Sequence, residues 1–378
     1  TVHHLARLRG GKLEALRTPD GRATGWIRSI FAAPDGAIYA TSGHGLYCWH
    51  LETLRHYPLA ATRSILVDHD ASLWIGYEGT GLEQRRATGV QALTASNGFI
   101  DGAVRTILQD RSGTTWIAAV QGLYRLAGDG KPTPVAGVEC PFALAEDPEG
   151  GLLIYDCRRR LLKLDAGQFR SLPHIRLRAG HRALHVDRTG AIWMATPRSG
   201  LVRMQRGELT TFGPGKGLDT ADIGCITEDS DGSLWIGTAT GISHWRDGKF
   251  ETHRFEGMAA VRAIHIAPDR ALWIGTYGYN LFRFKNGSFV RITQENGLFD
   301  DVVSNILPDD DGNLWMSGNK GIFRVARRNL DDFADGHASS VLSVAYDAND
   351  GMPVNETNGV WKPSAWKARD GKLWFAMM

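Results

Sequence analysis

Five arginines occupy one recurrent place in this chain. Arg28, Arg63, Arg105, Arg182 and Arg262 each stand two residues before the Ile or Leu at the centre of a short apolar run; the corresponding positions elsewhere hold Phe142, Gly224, Ser304 and Pro363. A guanidinium presents a planar fork of donors that meets carboxylate, sulfate or phosphate with two parallel bonds. Cyclic repetition of the runs would bring the five side chains to one mouth, suited to a small anion. The competing outcome is that each arginine pairs with an acid or a backbone carbonyl of the neighbouring run. Residues in nearby turns, His44, Tyr77, Gln121, Tyr277 and Asn319, supply aromatic and polar groups that suit a sugar or a small acid at the same mouth.

Other chemistries are poorly supplied. No Gly-x-Ser-x-Gly elbow, Gly-x-Gly-x-x-Gly fingerprint or phosphate loop occurs. Asp229-Ser230-Asp231-Gly232 and Asp309-Asp310-Asp311-Gly312 open like calcium loops, but the twelfth position, which needs a bidentate Glu, is Thr240 in one and Lys320 in the other. Both stretches read instead as tight turns ahead of a strand. His181 and His185, placed on one strand, would stand about 13 Å apart, too far to share a metal. The net charge of +2 and the single basic cluster Arg158-Arg159-Arg160 provide no stripe for nucleic acid. No metal, cofactor or nucleic-acid partner is expected.

The elements that must position the arginines are repeats. The stretch Asp231 to Thr238, continued by Gly241-Ile242-Ser243-His244-Trp245, recurs in degenerate copies. Aligning its Trp, or the Tyr standing in for it, gives Tyr39, Trp74, Trp116, Tyr155, Trp193, Trp235, Trp273, Trp315 and Trp374, at intervals of 35 to 42 residues and a last one of 59. Each copy contains four short strand-like runs separated by Gly, Asn and Asp turns, and a period near 40 residues marks a propeller or solenoid. No window keeps a helical period. The expected fold is all-β: one domain, 1–378, forming a closed β-propeller of four-stranded blades, nine by the 42-residue average and eight as the alternative. His4 to Leu16 reads as a third and fourth strand and Ser364 to Ala376 as a first and second, so their pairing is expected to complete one blade and remove two open sheet edges. The long last interval carries an insertion, 327–357, expected to begin as a surface excursion and end in an outer strand, Val341 to Tyr346.

Composition fits this architecture. With 43% hydrophobic residues among 378 the chain can bury a large core, and its 45 glycines exceed the usual share of about 7% because the turns use them. No apolar run approaches the roughly 18 residues of a membrane span. Thr1-Val2-His3-His4-Leu5 reads as strand and not as a signal peptide, so an export signal is expected to have been removed. Cys140 and Cys157 lie symmetrically about a predicted hairpin, which leaves a disulfide and a reduced pair both open.

The pattern Ile226 to Thr238, with the Gly-Ile strand after it, resembles the two-component regulator propeller repeat, and the run Asp350 to Gly359 looks like that family's last repeat. The resemblance implies a non-catalytic, periplasmic or otherwise extracytoplasmic sensor domain of a bacterial hybrid histidine kinase or diguanylate cyclase, with a small-molecule ligand and a C-terminal signalling module that this chain lacks. It does not name the ligand. The rival classes are a propeller lyase or hydrolase acting on polysaccharide, which needs a His/Tyr/Arg or paired-carboxylate constellation, and an interaction scaffold with a patch on its rim.

Overall fold

The computed structural model describes the chain except residues 1–4, 19–20, 22, 33–36, 51, 68–72, 80, 86–89, 95–102, 127–130, 166, 173–182, 197–199, 256–259 and 347–349. The architecture is all-β, in two compact units, Thr1–Val90 and Gln91–Met378. The first contains a two-stranded sheet (Ala6–Arg9, Lys12–Ala15), a four-stranded sheet running from Ile27–Ala32 to Thr53–Tyr57, and a three-stranded sheet (Thr62–Val67, Leu73–Tyr77, Gly81–Arg85). In the second, six four-stranded antiparallel sheets and one two-stranded sheet follow one another. Their first strands are Val104–Gln109, Pro141–Glu146, Ala183–Val186, Ile223–Glu228, Val261–Ile266, Asn305–Pro308 and Ala365–Lys367. Each first strand contacts the next, and Ala365–Lys367 also contacts Val104–Gln109. Among the described residues no helix is long and apolar enough to cross a membrane.

The hairpin between first and second strands shows why the Asp and Trp recur. Asp187 Oδ1 accepts from the Thr189 and Ala191 amides and Oδ2 from the indole Nε1 of Trp193, at 2.7 to 3.0 Å, so one carboxylate closes the turn and fastens a fully buried ring. Asp110 does the same for Trp116 and Asp309 for Trp315. In these three hairpins that hydrogen bond sets a spacing of six residues between acid and indole, whereas Asp229, six before Trp235, turns to Ser230 and Arg270 and leaves that indole without a partner among the described residues. The spacing also corrects the alignment at Tyr155: Leu153 faces Ala145 just as Trp116 faces Leu108, so Leu153 holds the Trp position. With no indole to receive it, Asp147 Oδ2 pairs instead with the buried Lys163, Nζ at 2.5 Å.

Trp273 shows the opposite defect. The residue six before it is Ala267, and its buried Nε1 has no hydrogen-bond partner. Because Ala267 closes its turn with the same amide-to-carbonyl bond as Asp187, an acid placed there is positioned to accept from the Trp273 indole, although Asp269 already takes the Ala271 amide. Ala267→Asp is therefore expected to raise stability by about 1 kcal/mol, the net value of a hydrogen bond made to an otherwise unsatisfied buried donor. A fall in the urea midpoint would refute this account of the Asp–Trp pairing.

Two expectations are corrected. The composite blade is not formed: among the described residues Ala6–Arg9 pairs only with Lys12–Ala15, and Ala365–Lys367 only with Leu373–Phe375. The latter pair is instead seated against Val104–Gln109, through Val104 N–H to Met377 O (3.1 Å), Ile107 N–H to Pro363 O (3.0 Å) and Asn358 Nδ2 to the Val104 carbonyl (2.7 Å). The insertion begins with an α-helix, Arg327–Ala334, held by i,i+4 pairs Arg327–Asp331 and Arg328–Asp332 and by the fully buried Leu330. Eight residues are too few for a helical period to stand out in a β-rich chain. Val344–Tyr346 then forms the outer strand of its sheet, as expected.

Candidate functional site

The arginine position is a β-bulge. Register slips between Ile27 and Ser29, Thr62 and Ser64, Val104 and Thr106, Pro141 and Ala143, Ile223 and Cys225, and Val261 and Ala263, so the residue in between is the extra, unpaired one in six sheets. A bulge re-aims its side chain out of the alternation of the strand. At Gly224 a Cβ would lie 1.9 Å from the Val261 carbonyl oxygen, which shows that this bulged position faces the following sheet.

Groups of a neighbouring sheet claim Arg28 and Arg105, while Arg63 and Arg262 meet residues at the end of their own hairpins. In the first unit, Glu78 bridges Arg28 (Nη1 to Oε2, 2.5 Å) and Arg63 (Nη2 to Oε1, 2.7 Å), and hydrogen bonds from Arg63 and then Arg28 hold its carboxyl below the usual range. In the second unit Arg105 is buried. Its guanidinium lies 4.4 Å from the Phe142 ring centroid and 5.3 Å from that of Trp361, and Nη1 donates to Pro141 O at 3.1 Å and Cys140 Sγ at 3.2 Å. Arg262 is half-buried, 5.5 Å from the exposed ring of Tyr277. Arg182 lies outside the described residues. Of the turn residues, His44, Gln121 and Asn319 are exposed, and the hydroxyl of Tyr77 is bonded to Glu83.

A cavity of about 390 Å³ lies between the seven first strands of the second unit. Its polar lining includes Gln109, Glu146, His185, Thr227, Arg262 and Lys362. Among the described arginines of the set, Arg262 alone lines it. The acids near it are already engaged. Glu146 Oε1 accepts from the Arg111 amide and Nε at 2.9 and 3.0 Å. Glu228 accepts from Arg188 Nε at 2.8 Å and meets His185 Nε2 at 3.3 Å; burial alone would raise its carboxyl, but the bonds from His185 and Arg188 bring it to about 2.

Lys362 was missed at the level of sequence. Its stem lines the cavity while Nζ donates to Ser304 O (2.5 Å), Asn305 Oδ1 (2.9 Å) and Ser364 Oγ (3.1 Å). Burial pushes its amine down to about 7, with the Arg262 charge adding to the effect and Cys225 opposing it. A lone Lys beside Pro363 carries no signal without knowledge of the enclosing walls.

The comparisons with known proteins agree with this architecture. The two component regulator propeller family matches at residues 217–240 and 297–320. The chain carries two component regulator propeller repeats. No curated protein matches it in sequence. Among solved structures it is similar to the extracellular domain of a hybrid two component system from B. thetaiotaomicron, at 18% identity and a TM-score of 0.62, over 98% of this chain and 53% of that one. The chain thus spans about half the length of that structure. It is also similar to the WD40 β-propeller domain of Doa1, at 13% identity and a TM-score of 0.56, over 73% of this chain and 90% of that one. At these identities the likeness concerns the fold.

Proposed function

We propose that residues 91–378 form a seven-bladed, non-catalytic sensor propeller of an extracytoplasmic, periplasmic receptor, which binds a small anion at Arg262 and passes its occupancy to a signalling module elsewhere in the receptor. One observation carries the proposal. The cavity between the first strands holds the Arg262 guanidinium in its wall, and among the described residues its one lining carboxylate, Glu146, is taken up by Arg111. The volume suits a ligand of organic-acid or acidic-sugar size. The propeller repeats, and the extracellular setting named for the similar structure, support a receptor role.

The test is a thermal-shift series with sulfate, phosphate, organic acids, acidic sugars and neutral sugars. An anion at a hundredfold excess over its dissociation constant stabilises the fold by about 2.7 kcal/mol. Arg262→Gln is expected to abolish that shift and leave the stability of the ligand-free protein nearly unchanged. Arg105→Gln is expected to lower stability by roughly 2 kcal/mol, since it removes a buried, doubly stacked group and strands its acceptor. A full anion response in Arg262→Gln, or a response to neutral sugars alone, would overturn the assignment.

A further inference from the structure

The pairing of the strands Pro141–Glu146 and Leu152–Asp156 continues one step beyond its last register pair. Pro141 opposes Asp156, and the next residues outward are Cys140 and Cys157, joined by the Cys157 amide donating to Cys140 O at 3.1 Å. Opposed residues in an antiparallel pair have Cα atoms about 4.5 to 5.5 Å apart, within the span of about 4.4 to 6.8 Å that a disulfide bridges. Both cysteines are free thiols, Cys157 exposed and Cys140 half-buried. The Cys157 thiol is pushed up first by its partial burial and then by its hydrogen bond to Cys140. The other two cysteines differ: Cys225 is buried in the cavity wall, and Cys48 lies in the other unit.

From this geometry we infer that Cys140 and Cys157 are an oxidisable dithiol, a disulfide-forming site at the end of the hairpin beside Arg105. The co-reactant is a small disulfide such as oxidised glutathione. The exposed Cys157 sulfur attacks it, forms a mixed disulfide and expels one glutathione thiolate. The Cys140 sulfur then attacks the Cys157 sulfur, forms the intramolecular bond and releases the second glutathione. Two thiols lose two electrons and two protons, and one glutathione disulfide becomes two glutathione thiols. Arg105 Nη1, 3.2 Å from Cys140 Sγ, sets positive charge beside the sulfur that attacks in the second step.

The full chain is incubated with oxidised glutathione, alkylated without reduction, and analysed by intact mass and peptide mapping. The expected product has lost two hydrogens, takes up two fewer alkyl groups, and yields a linked peptide pair containing Cys140 and Cys157. Cys140→Ser is expected to stop at a glutathione adduct on Cys157, because the resolving sulfur is gone. Recovery of both cysteines alkylated, or a lasting glutathione adduct on Cys157 in the unsubstituted chain, would overturn the inference. Neither outcome depends on whether an anion binds at Arg262, so the two proposals fail separately.

Discussion

Asp187→Ala is expected to lower the stability of the protein by about 3 to 4 kcal/mol. The carboxylate serves four donors, the amides of Thr189 and Ala191, the Thr189 hydroxyl and the Trp193 indole. Trp193 has no solvent exposure, so water cannot replace the lost partner of Nε1, and a buried donor left unpaired costs about 1 to 3 kcal/mol. The turn amides add to that loss because the hairpin no longer has an acceptor at its centre. Asp187→Asn keeps the shape and one acceptor oxygen and should fall between. Asp311→Ala is the control, an exposed acid in a homologous turn whose carboxylate closes no indole bond. Urea titration followed by tryptophan fluorescence measures all three; equal midpoints for Asp187→Ala and Asp311→Ala would show that the indole bond contributes nothing.

Lys362 should make stability rise with pH. Its amine titrates near 7 in the folded protein because burial disfavours the ammonium, against an ordinary value of about 10.4 in the unfolded chain. Below pH 6 both states hold the proton and the contribution is flat. Between about 7 and 10 the folded protein has shed a proton that the unfolded chain still binds, so stability increases with pH across that window. Three units at about 1.4 kcal/mol each amount to roughly 4 kcal/mol. Lys362→Met removes the titrating group, keeps the stem, and is expected to abolish the climb, although it strands the three oxygens that held Nζ. The difference between the two proteins, followed by urea unfolding from pH 6 to 10, cancels the other lysines and tyrosines. Parallel curves would mean that Nζ is far better solvated than its enclosure indicates.

The arginines show where function and architecture compete for one residue type. A bulge carries Arg28, Arg63, Arg105 and Arg262, and the outcome depends on what each side chain meets. Arg105 meets two aromatic rings and a carbonyl and becomes part of the wall, while Arg262 lies against an exposed Tyr277 and keeps access to the cavity. The expectation of five equivalent guanidinium groups around one mouth therefore reduces, among the described residues of the second unit, to one residue open to the cavity.

What the sequence determined by itself was local. The strand runs, the turns and the period near 40 residues all depend on contacts within a few residues, as does the Asp-to-Trp spacing that closes the hairpins of Asp110, Asp187 and Asp309. The sequence aligned the bulged position, two before an Ile or Leu, without showing the bulge; the slip in register occupies that same place in six sheets. The tertiary structure decided the rest, because the partners are remote. Arg105 is enclosed by Phe142, at the same position one repeat on, and by Trp361, 256 residues on, and the second of these is not encoded in the repeat. Lys362 looked like an ordinary charged residue until Ser304, Asn305 and Ser364 were found around its amine. The final two strands could have been matched to any incomplete sheet, since edge strands of one repeat pair alike. Val104, Ile107 and Asn358 settled where they sit through hydrogen bonds that span some 250 residues of chain, at a place no local pattern marks.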